Sequence, residues 1–393
     1  MLLRVSLRNY RSIESAEVEL ARFSLLVGPN SSGKSNFADA LVLASELGFD
    51  AASAIQRRGG LQALRRWGIP DEEALQVKVR ASASREALDV SYAEQSFSLV
   101  PEEGARWKFQ DEHFQVLHEH TVMSQYTRAG WQFTEHPATA WQPPALPPTT
   151  SIMLTARQWV PWDVLQVRRL CLDVAKMRGP QAPGETETLR EDGSNIASVL
   201  KRMRGQDERG FAFVLAALRR LVPGLEDILV EELGGFLVLR FSQRQGSRLA
   251  LLTASNMSEG TLRALGIIVA AQTLALPPSS PQPSPPEMLI VEEPEVAIHP
   301  GAAALLFEVL KRASQRGFVL VTTHSPELLD AAQDEEILVC NYREGTTHVG
   351  PLSTAQREVV REGLFSLSEL ARSEPLLIEG EEPPSLDPRD FGA

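Results

Sequence analysis

The sequence of 393 residues is short of cysteine, with only Cys171 and Cys340. Two such distant cysteines give no disulfide framework and no metal-type spacing, and they are typical of a reducing compartment. We therefore predict a cytoplasmic location. No stretch reaches the roughly 18 consecutive apolar residues that a membrane-spanning helix needs. The opening MLLRVSLRNYRS alternates apolar and polar residues without a signal-peptide core, which predicts mature protein and no membrane insertion.

Positive charge is also in deficit, because 39 Lys and Arg residues face 51 Asp and Glu residues for a formal net charge of −12. Proteins that coat nucleic acid non-specifically usually lean basic, so this balance disfavours a general DNA binder. Clusters of basic residues could still form a local patch, although each one alone is more typical of a solvated helix face. These clusters are Arg57-Arg58, Arg65-Arg66, Arg168-Arg169, Lys201 to Arg204 and Arg219-Arg220. No sustained heptad pattern occurs, which disfavours long coiled-coil arms.

What the sequence does contain is a glycine-bounded loop, GPNSSGKS, at residues 28–35. The segment Phe23–Val27 before it is typical of a buried strand, and helical apolar spacing follows from Lys34 to about Leu47, as the G-x-x-x-x-G-K-S motif requires. Backbone N–H groups of such a loop surround an anion, and the helix directs its positive end to the same place. Lys34 would reach the β- and γ-phosphates of ATP, and Ser35 would ligate Mg²⁺. The predicted nucleotide-binding residues are Gly28, Pro29, Asn30, Ser31, Ser32, Gly33, Lys34, Ser35 and Asn36.

A second strand candidate, Met288–Val291, ends in EEPE at residues 292–295. Adjacent carboxylates repel each other, so a bound cation would explain why they are tolerated there. Glu292 is predicted to hold Mg²⁺ and Glu293 to orient or deprotonate the attacking water. Without the phosphate loop, the same residues would be more typical of a strand that runs into a charged turn.

A third apolar run, Phe318–Val321, ends in TTHSP. Ser325 and Pro326 are favourable as an N-cap and a first helical residue, which predicts a new helix there. His324 then lies at the carboxyl end of a strand, where α/β proteins place ligand contacts. A single histidine in a turn is more often structural, but together with the loop at 28–35 and the EEPE segment it becomes a catalytic candidate.

These residues resemble the head of an ABC-type ATPase, of the branch shared by SMC, RecF and OLD proteins, and within it the bacterial AAA-family ATPases that are RecF/SMC-like. The resembling segments are RNYRS, GPNSSGKSNFADAL, IQRRGGLQALRRWG, DGSNIASVL, MSEGTLRALG, LIVEEPEVAIHP and VTTHSPELLD. The resemblance implies an α/β P-loop NTPase fold, with a mixed sheet, helices, an antiparallel β subdomain and an inserted lobe. It also implies catalytic roles for Lys34, Glu293 and His324.

By this resemblance, residues 257–261 stand at the ABC signature, so that Ser258 and Gly260 would bind the γ-phosphate held by a second subunit. Ser258 can cap the following helix and Gly260 leaves its backbone open, which makes the helix start an anion site. The alternative is an ordinary capped helix. Three features depart from the family: Glu292 stands where Asp is usual, the proline-rich segment after the signature is longer than the function needs, and the glutamine loop is open between Gln158 and Gln181.

The predicted organisation is a discontinuous head at 1–75 and 225–372, an inserted β/helical lobe at 76–224, a proline-rich surface loop at 277–286 and an acidic tail at 373–393. The likeness implies a homodimer that closes around ATP, hydrolyses it and passes the motion to DNA or a partner protein, in DNA repair or phage defence. A nucleotide-gated switch with little hydrolysis is the alternative. A transporter subunit is disfavoured, because 223 positions (258 minus 35) separate the loop serine from the signature serine.

Overall fold

The computed structural model describes residues 3–81, 92–104, 106–118, 121–127, 130–133, 147–151, 153, 164–184, 186–274, 286–296, 298 and 300–381. Most of the proline-rich segment, the end of the acidic tail after residue 381 and Gln158 lie outside these residues. Within them, no helix is long and apolar enough to cross a membrane.

The strands of the described residues fall into three sheets. They are β1 Leu3–Tyr10, β2 Ile13–Leu20, β3 Phe23–Val27, β4 Leu75–Ala81, β5 Tyr92–Glu102, β6 Arg106–His118, β7 Thr121–Thr127, β8 Gly130–Phe133, β9 Gln166–Leu170, β10 Leu225–Leu233, β11 Phe236–Gln245, β12 Arg248–Thr253, β13 Glu287–Glu292, β14 Phe318–Thr323, β15 Ile337–Arg343 and β16 Thr346–Pro351. An antiparallel sheet has the order β2-β1-β4-β5-β6-β7-β8, and a smaller one has the order β10-β11-β12.

The helices of the described residues cover both faces of the central sheet. They are α1 Lys34–Arg57, α2 Leu61–Leu64, α3 Val174–Arg178, α4 Ile196–Gln206, α5 Glu208–Leu221, α6 Glu259–Thr273, α7 Pro300–Ala313, α8 Pro326–Ala331, α9 Thr354–Arg361 and α10 Leu367–Ser373. Short 3₁₀ turns occur at Ala254–Asn256 and Asp334–Glu336.

The central sheet has the order β16-β15-β3-β14-β13-β9, and its strands are parallel except for β16. Every residue of β3 and β14 is buried, as expected of parallel strands covered on both faces. Because parallel strands end at one edge, this sheet brings the ends of β3, β13 and β14 together. The pairs Thr323↔Val27 and Glu292↔Thr322 fix their register.

Two hydrophobic cores lie on either side of this sheet. Leu289 and Val291 of β13 belong to the core that includes α4, α5, α6 and α7, whereas Met288 and Ile290 belong to the core shared with α1 and the large antiparallel sheet. This division follows from the alternation of side chains along a strand. The central sheet, parallel except for β16, together with the helices and the antiparallel sheets, confirms the predicted α/β class.

Strands from the predicted inserted lobe take part in both large sheets. The predicted boundary at residues 75 and 76 falls inside β4, which pairs with β1, and β9 adds to the parallel sheet beside β13. The limits of head and lobe stay a prediction, but strands that lie within 76–224 help to build the sheet that positions the site.

Candidate active site

The loop between β3 and α1 is held tightly against β15 and β16. A Cβ atom added at Gly28 would lie 2.0 Å from the carbonyl oxygen of Cys340, and one added at Gly33 would lie 2.2 Å from Thr347 Oγ1. Gly33 also has a φ of +107°, which glycine adopts readily. Thr347 Oγ1 donates a hydrogen bond to the carbonyl oxygen of Ser32 at 2.8 Å. Both glycines are therefore required by close packing beneath the loop.

Lys34 lies against the start of the same loop. Its Nζ donates hydrogen bonds to the carbonyl oxygens of Gly28 and Pro29, each at 2.9 Å, and the residue is 7% exposed. Burial lowers the pKa of Lys34, while nearby Cys340, Glu293 and Glu292 oppose that shift. The two hydrogen bonds hold the Lys34 side chain at the loop, where a triphosphate would need it.

Glu292 at the end of β13 contacts the first turn of α1. Ser35 Oγ donates a hydrogen bond to Glu292 Oε2 at 2.7 Å, and Arg169 Nε donates to Glu292 Oε1. A serine hydroxyl and a carboxylate oxygen are hard oxygen ligands of the kind that Mg²⁺ prefers. Their proximity fits the predicted metal pair of Ser35 and Glu292.

Glu293 and His324 lie beside this pair. The backbone N–H of Glu293 donates to the carbonyl oxygen of Thr322 at 2.9 Å, and His324 Nε2 lies 3.6 Å from Glu293 Oε1. Glu293 has a φ of +45°, a left-handed conformation that is uncommon outside glycine and often found at functional sites. Burial and then Lys34 lower the pKa of His324, although Glu293 and Glu295 oppose this.

Glu295 has a role that the sequence did not indicate. Its Oε1 accepts hydrogen bonds from Thr323 Oγ1 at 2.6 Å and from the backbone N–H of His324 at 2.9 Å. Ser325 then caps α8 by accepting from the backbone N–H of Leu328, as predicted. Glu295 therefore fixes the turn that carries His324. Its position two residues after a catalytic candidate was the available signal.

The first turn of α1 is also tied to the N-terminal hairpin. Asn36 Nδ2 donates to Ser12 Oγ at 2.7 Å, and Arg11 donates to Asn36 Oδ1 at 3.2 Å. Ser12 Oγ in turn lies 2.7 Å from Thr347 Oγ1, which contacts the loop. The RNYRS segment therefore orders the helix start next to the predicted nucleotide site.

The predicted signature residues lie at the start of α6. The backbone N–H of Thr261 donates to Ser258 Oγ at 3.1 Å, so Ser258 is the N-cap of this helix. Ser258 is exposed and Gly260 is partly exposed. In the part of the chain that the structure describes, no hydrogen bond or ion pair joins either residue to the loop at 28–36.

Two expectations from the sequence are corrected. Gln181, a candidate for the glutamine loop, is 4% exposed and its Oε1 accepts from the backbone N–H of Ala197, so its side chain is buried and serves the fold. Arg168 and Arg169 do not lie on a solvated helix face: they belong to β9 and pair with Glu287 and Glu292. Other basic clusters also face carboxylates, through the pairs Arg58–Glu46, Arg66–Glu14, Lys201–Glu232, Arg202–Glu187, Arg204–Asp227 and Arg220–Glu308.

Comparisons with known proteins agree with this geometry. Residues 1–97 match the family described as "AAA ATPase domain", and residues 185–330 match the family described as "AAA domain, putative AbiEii toxin, Type IV TA system". No curated protein matches the sequence significantly.

Solved SMC heads share the fold. An SMC head bound to the C-winged helix domain of ScpA is 16% identical, with a TM-score of 0.54 over 90% of this chain and 98% of that chain. A head bound to the C-terminal domain of ScpA, from Pyrococcus furiosus, is 13% identical, with a TM-score of 0.54 over 93% and 100% of the two chains. A head with coiled coil and joint from Pyrococcus yayanosii is 10% identical, with the same TM-score and coverage. Two models of AAA-type ATPase domains therefore match separate parts of the chain, and its fold is similar to that of solved SMC heads.

Proposed function

We propose that the chain binds Mg²⁺ and ATP between the loop at 28–36 and the acidic end of β13, and that it hydrolyses the nucleotide. The observation that carries this proposal is the 2.7 Å contact between Ser35 Oγ and Glu292 Oε2. These residues are 257 positions apart in sequence (292 minus 35), yet their oxygen atoms lie close enough to share one cation.

Each site residue has a distinct proposed role. The magnesium nucleotide supplies the phosphoanhydride bond and a cation that offsets the charge of the carboxylates. Lys34 binds the β- and γ-phosphates, and the N–H groups at the start of α1 face the same anion. Ser35 and Glu292 hold the metal. Glu293 orients the attacking water or takes its proton, and His324 contacts the γ-phosphate side of the site.

Two substitutions test these roles. Lys34→Ala should abolish nucleotide binding, whereas Glu293→Gln should bind ATP and release no phosphate. Binding is measured with a fluorescent nucleotide, and phosphate release at millimolar Mg-ATP with and without DNA. Lys201→Ala is the matched control, because Lys201 is exposed and pairs with Glu232 on the surface.

Three outcomes are informative. Undiminished turnover in Glu293→Gln would remove that residue from the base role. Undiminished binding in Lys34→Ala would contradict the nucleotide site itself. Tight binding without phosphate release in the wild-type protein would favour the alternative function, a nucleotide-gated switch in which Glu292 replaces the usual Asp.

We also propose that two copies close over two nucleotides, with Ser258 and Gly260 of one copy facing the loop of the other. The exposure of Ser258 supports this, because the start of a helix with free N–H groups favours an anion. Glu293→Gln should sediment as a dimer with ATP and as a monomer without it. Adding Ser258→Arg should abolish that dimer while leaving nucleotide binding intact. A monomer with bound ATP would contradict the proposal.

We propose that the ATP cycle moves or remodels DNA or a partner protein. Two of the SMC heads of similar fold are bound to a domain of ScpA, which supports a protein partner at least as well as DNA. DNA repair and phage defence are the roles that the family likeness suggests. A pull-down with Glu293→Gln and ATP, followed by identification of bound protein and nucleic acid, tests both.

A further inference from the structure

Arg169 reaches the metal side of the site from the neighbouring strand. In the parallel pair of β9 and β13, Arg169 stands opposite Ile290, and Arg168 opposite Leu289. Successive strand residues point to opposite faces. Accordingly, Arg168 contacts Glu287 and Thr273, whereas Arg169 extends along the sheet edge to Glu292.

Both oxygen atoms of Glu292 are engaged by different elements. Oε2 accepts from Ser35 of α1, and Oε1 accepts from Arg169 Nε of β9. The side chains of Arg169 and Glu292 are only 25% and 20% exposed, so this ion pair is largely removed from solvent. The contact therefore fixes the carboxylate more firmly than a surface pair would.

The far edge of the same guanidinium faces α1. Arg169 Nη1 lies 3.9 Å from Asp39 Oδ1, and Asp39 follows Ser35 by four residues (39 minus 35). Positions four apart share one face of a helix. Arg169 thus connects Glu292 with the helix that carries Ser35, and a planar guanidinium is suited to such a two-sided contact.

We propose that Arg169 is a positioning residue, which holds the Glu292 carboxylate at the metal beside Ser35. This inference rests on the proposed function of the site. Glu292 is one methylene longer than the aspartate usual in the family, so its carboxylate has more rotamers and needs an outer partner to fix it. Loss of such a partner typically weakens metal affinity about 10–100-fold.

The experiment measures binding rather than turnover. For wild type, Arg169→Gln and Arg169→Lys, a fluorescent ATP analogue is titrated at increasing Mg²⁺ and again in EDTA. Arg169→Gln should raise the half-saturating Mg²⁺ concentration about tenfold or more, and Arg169→Lys should recover part of this because it keeps the charge. Metal-free binding should stay unchanged. Arg220→Gln is the control, because Arg220 forms an exposed pair with Glu308.

A double-mutant comparison separates positioning from a merely structural role. In a Glu292→Asp background the shorter carboxylate no longer depends on Arg169, so Arg169→Gln should change the Mg²⁺ requirement less than about twofold. If Arg169 only stabilised the fold, its loss would lower the free energy of unfolding and weaken metal-free nucleotide binding equally in both backgrounds. Should Arg169→Gln fail to fold, Arg169→Lys is compared in the two backgrounds instead.

The inference and the proposed function fail in different ways. Unchanged Mg²⁺ dependence in Arg169→Gln, or an equal shift in both backgrounds, would overturn the role of Arg169 while leaving wild-type nucleotide binding intact. Wild-type protein that binds no nucleotide at all would overturn the proposed function and this inference with it.

Discussion

Asp39 is a buried carboxylate that should be among the most costly side chains to alter. It is 7% exposed, and it accepts hydrogen bonds from Tyr10 Oη at 2.7 Å and Arg58 Nε at 2.9 Å, with Arg11 Nη2 at 2.8 Å. These partners come from β1, from the turn after it and from the end of α1. We predict that Asp39→Asn, which keeps the shape and removes the charge, lowers the free energy of unfolding by about 3 kcal/mol.

The magnitude follows from the exposure of the partners. Removal of one member of a buried ion pair costs about 3–5 kcal/mol, because the other charge stays buried and uncompensated. The Arg58 side chain is 10% exposed and, among the described residues, would keep only Glu46 as a charged partner. The Arg11 side chain is 30% exposed, so water compensates part of its loss. An asparagine can still accept the Tyr10 hydrogen bond. The lower end of the range is therefore expected.

Urea unfolding followed by tryptophan fluorescence measures this free energy. Glu308→Gln is the control, since the side chains of Glu308 and Arg220 are 63% and 61% exposed and such surface pairs contribute at most about 1 kcal/mol. A loss below about 1 kcal/mol in Asp39→Asn, equal to that of the control, would refute the argument that burial makes this network costly to break.

Three further substitutions have expected outcomes. Gly33→Ala should abolish nucleotide binding and lower the unfolding temperature more than Gly60→Ala does. Both glycines have a positive φ (+107° and +91°), but only the Cβ added at Gly33 would clash with Thr347. Equal decreases in unfolding temperature would contradict this. The pKa of His324 is lowered from 6.5 by burial and then by Lys34, so less than half of the rings are charged at pH 6.5 and above. Turnover should then decline only below that pH, and His324→Gln should abolish this decline in a pH–rate profile. The pKa of Asp192 is about 2, against an ordinary 3.8: burial opposes the shift, but hydrogen bonds from Lys176 and Ser194 outweigh it. Asp192 thus stabilises the fold above pH 3.8 and loses this effect as the pH falls toward 2, so Asp192→Asn should flatten that part of the acid-unfolding curve.

The parts of the site that could be predicted depend on short, contiguous segments. The loop at 28–35 is specified by its own glycines and by the strand and helix around it, so the sequence alone predicted correctly that Lys34 and Ser35 begin a helix that follows β3. Ser325 and Pro326 begin α8 for a similarly local reason. The helix cap at Ser258 was predictable in the same way.

Contacts between distant segments were not predictable in this way. Nothing in the QVRRL segment at 166–170 indicates that its strand pairs with β13. Two adjacent arginines are typical of a solvated surface, and only their position on a strand directs them to opposite faces. Once β9 is in the sheet, Arg168 and Arg169 must point to opposite faces. Similarly, the hydrogen bond between Glu295 and Thr323 depends on the pairing of β14 with β13, which the sequence does not show.

The order of strands in the central sheet has a consequence for synthesis. β3, which leads into the phosphate loop, is flanked by β14 and β15, so its neighbours leave the ribosome 291 or more residues later (318 minus 27). At roughly 5–20 residues per second, that delay is about 15–60 seconds. Throughout it, a strand with four apolar residues out of five has both edges unpaired and is open to aggregation, so the nascent chain should depend on chaperones that shield this strand until the last fifth of the chain arrives.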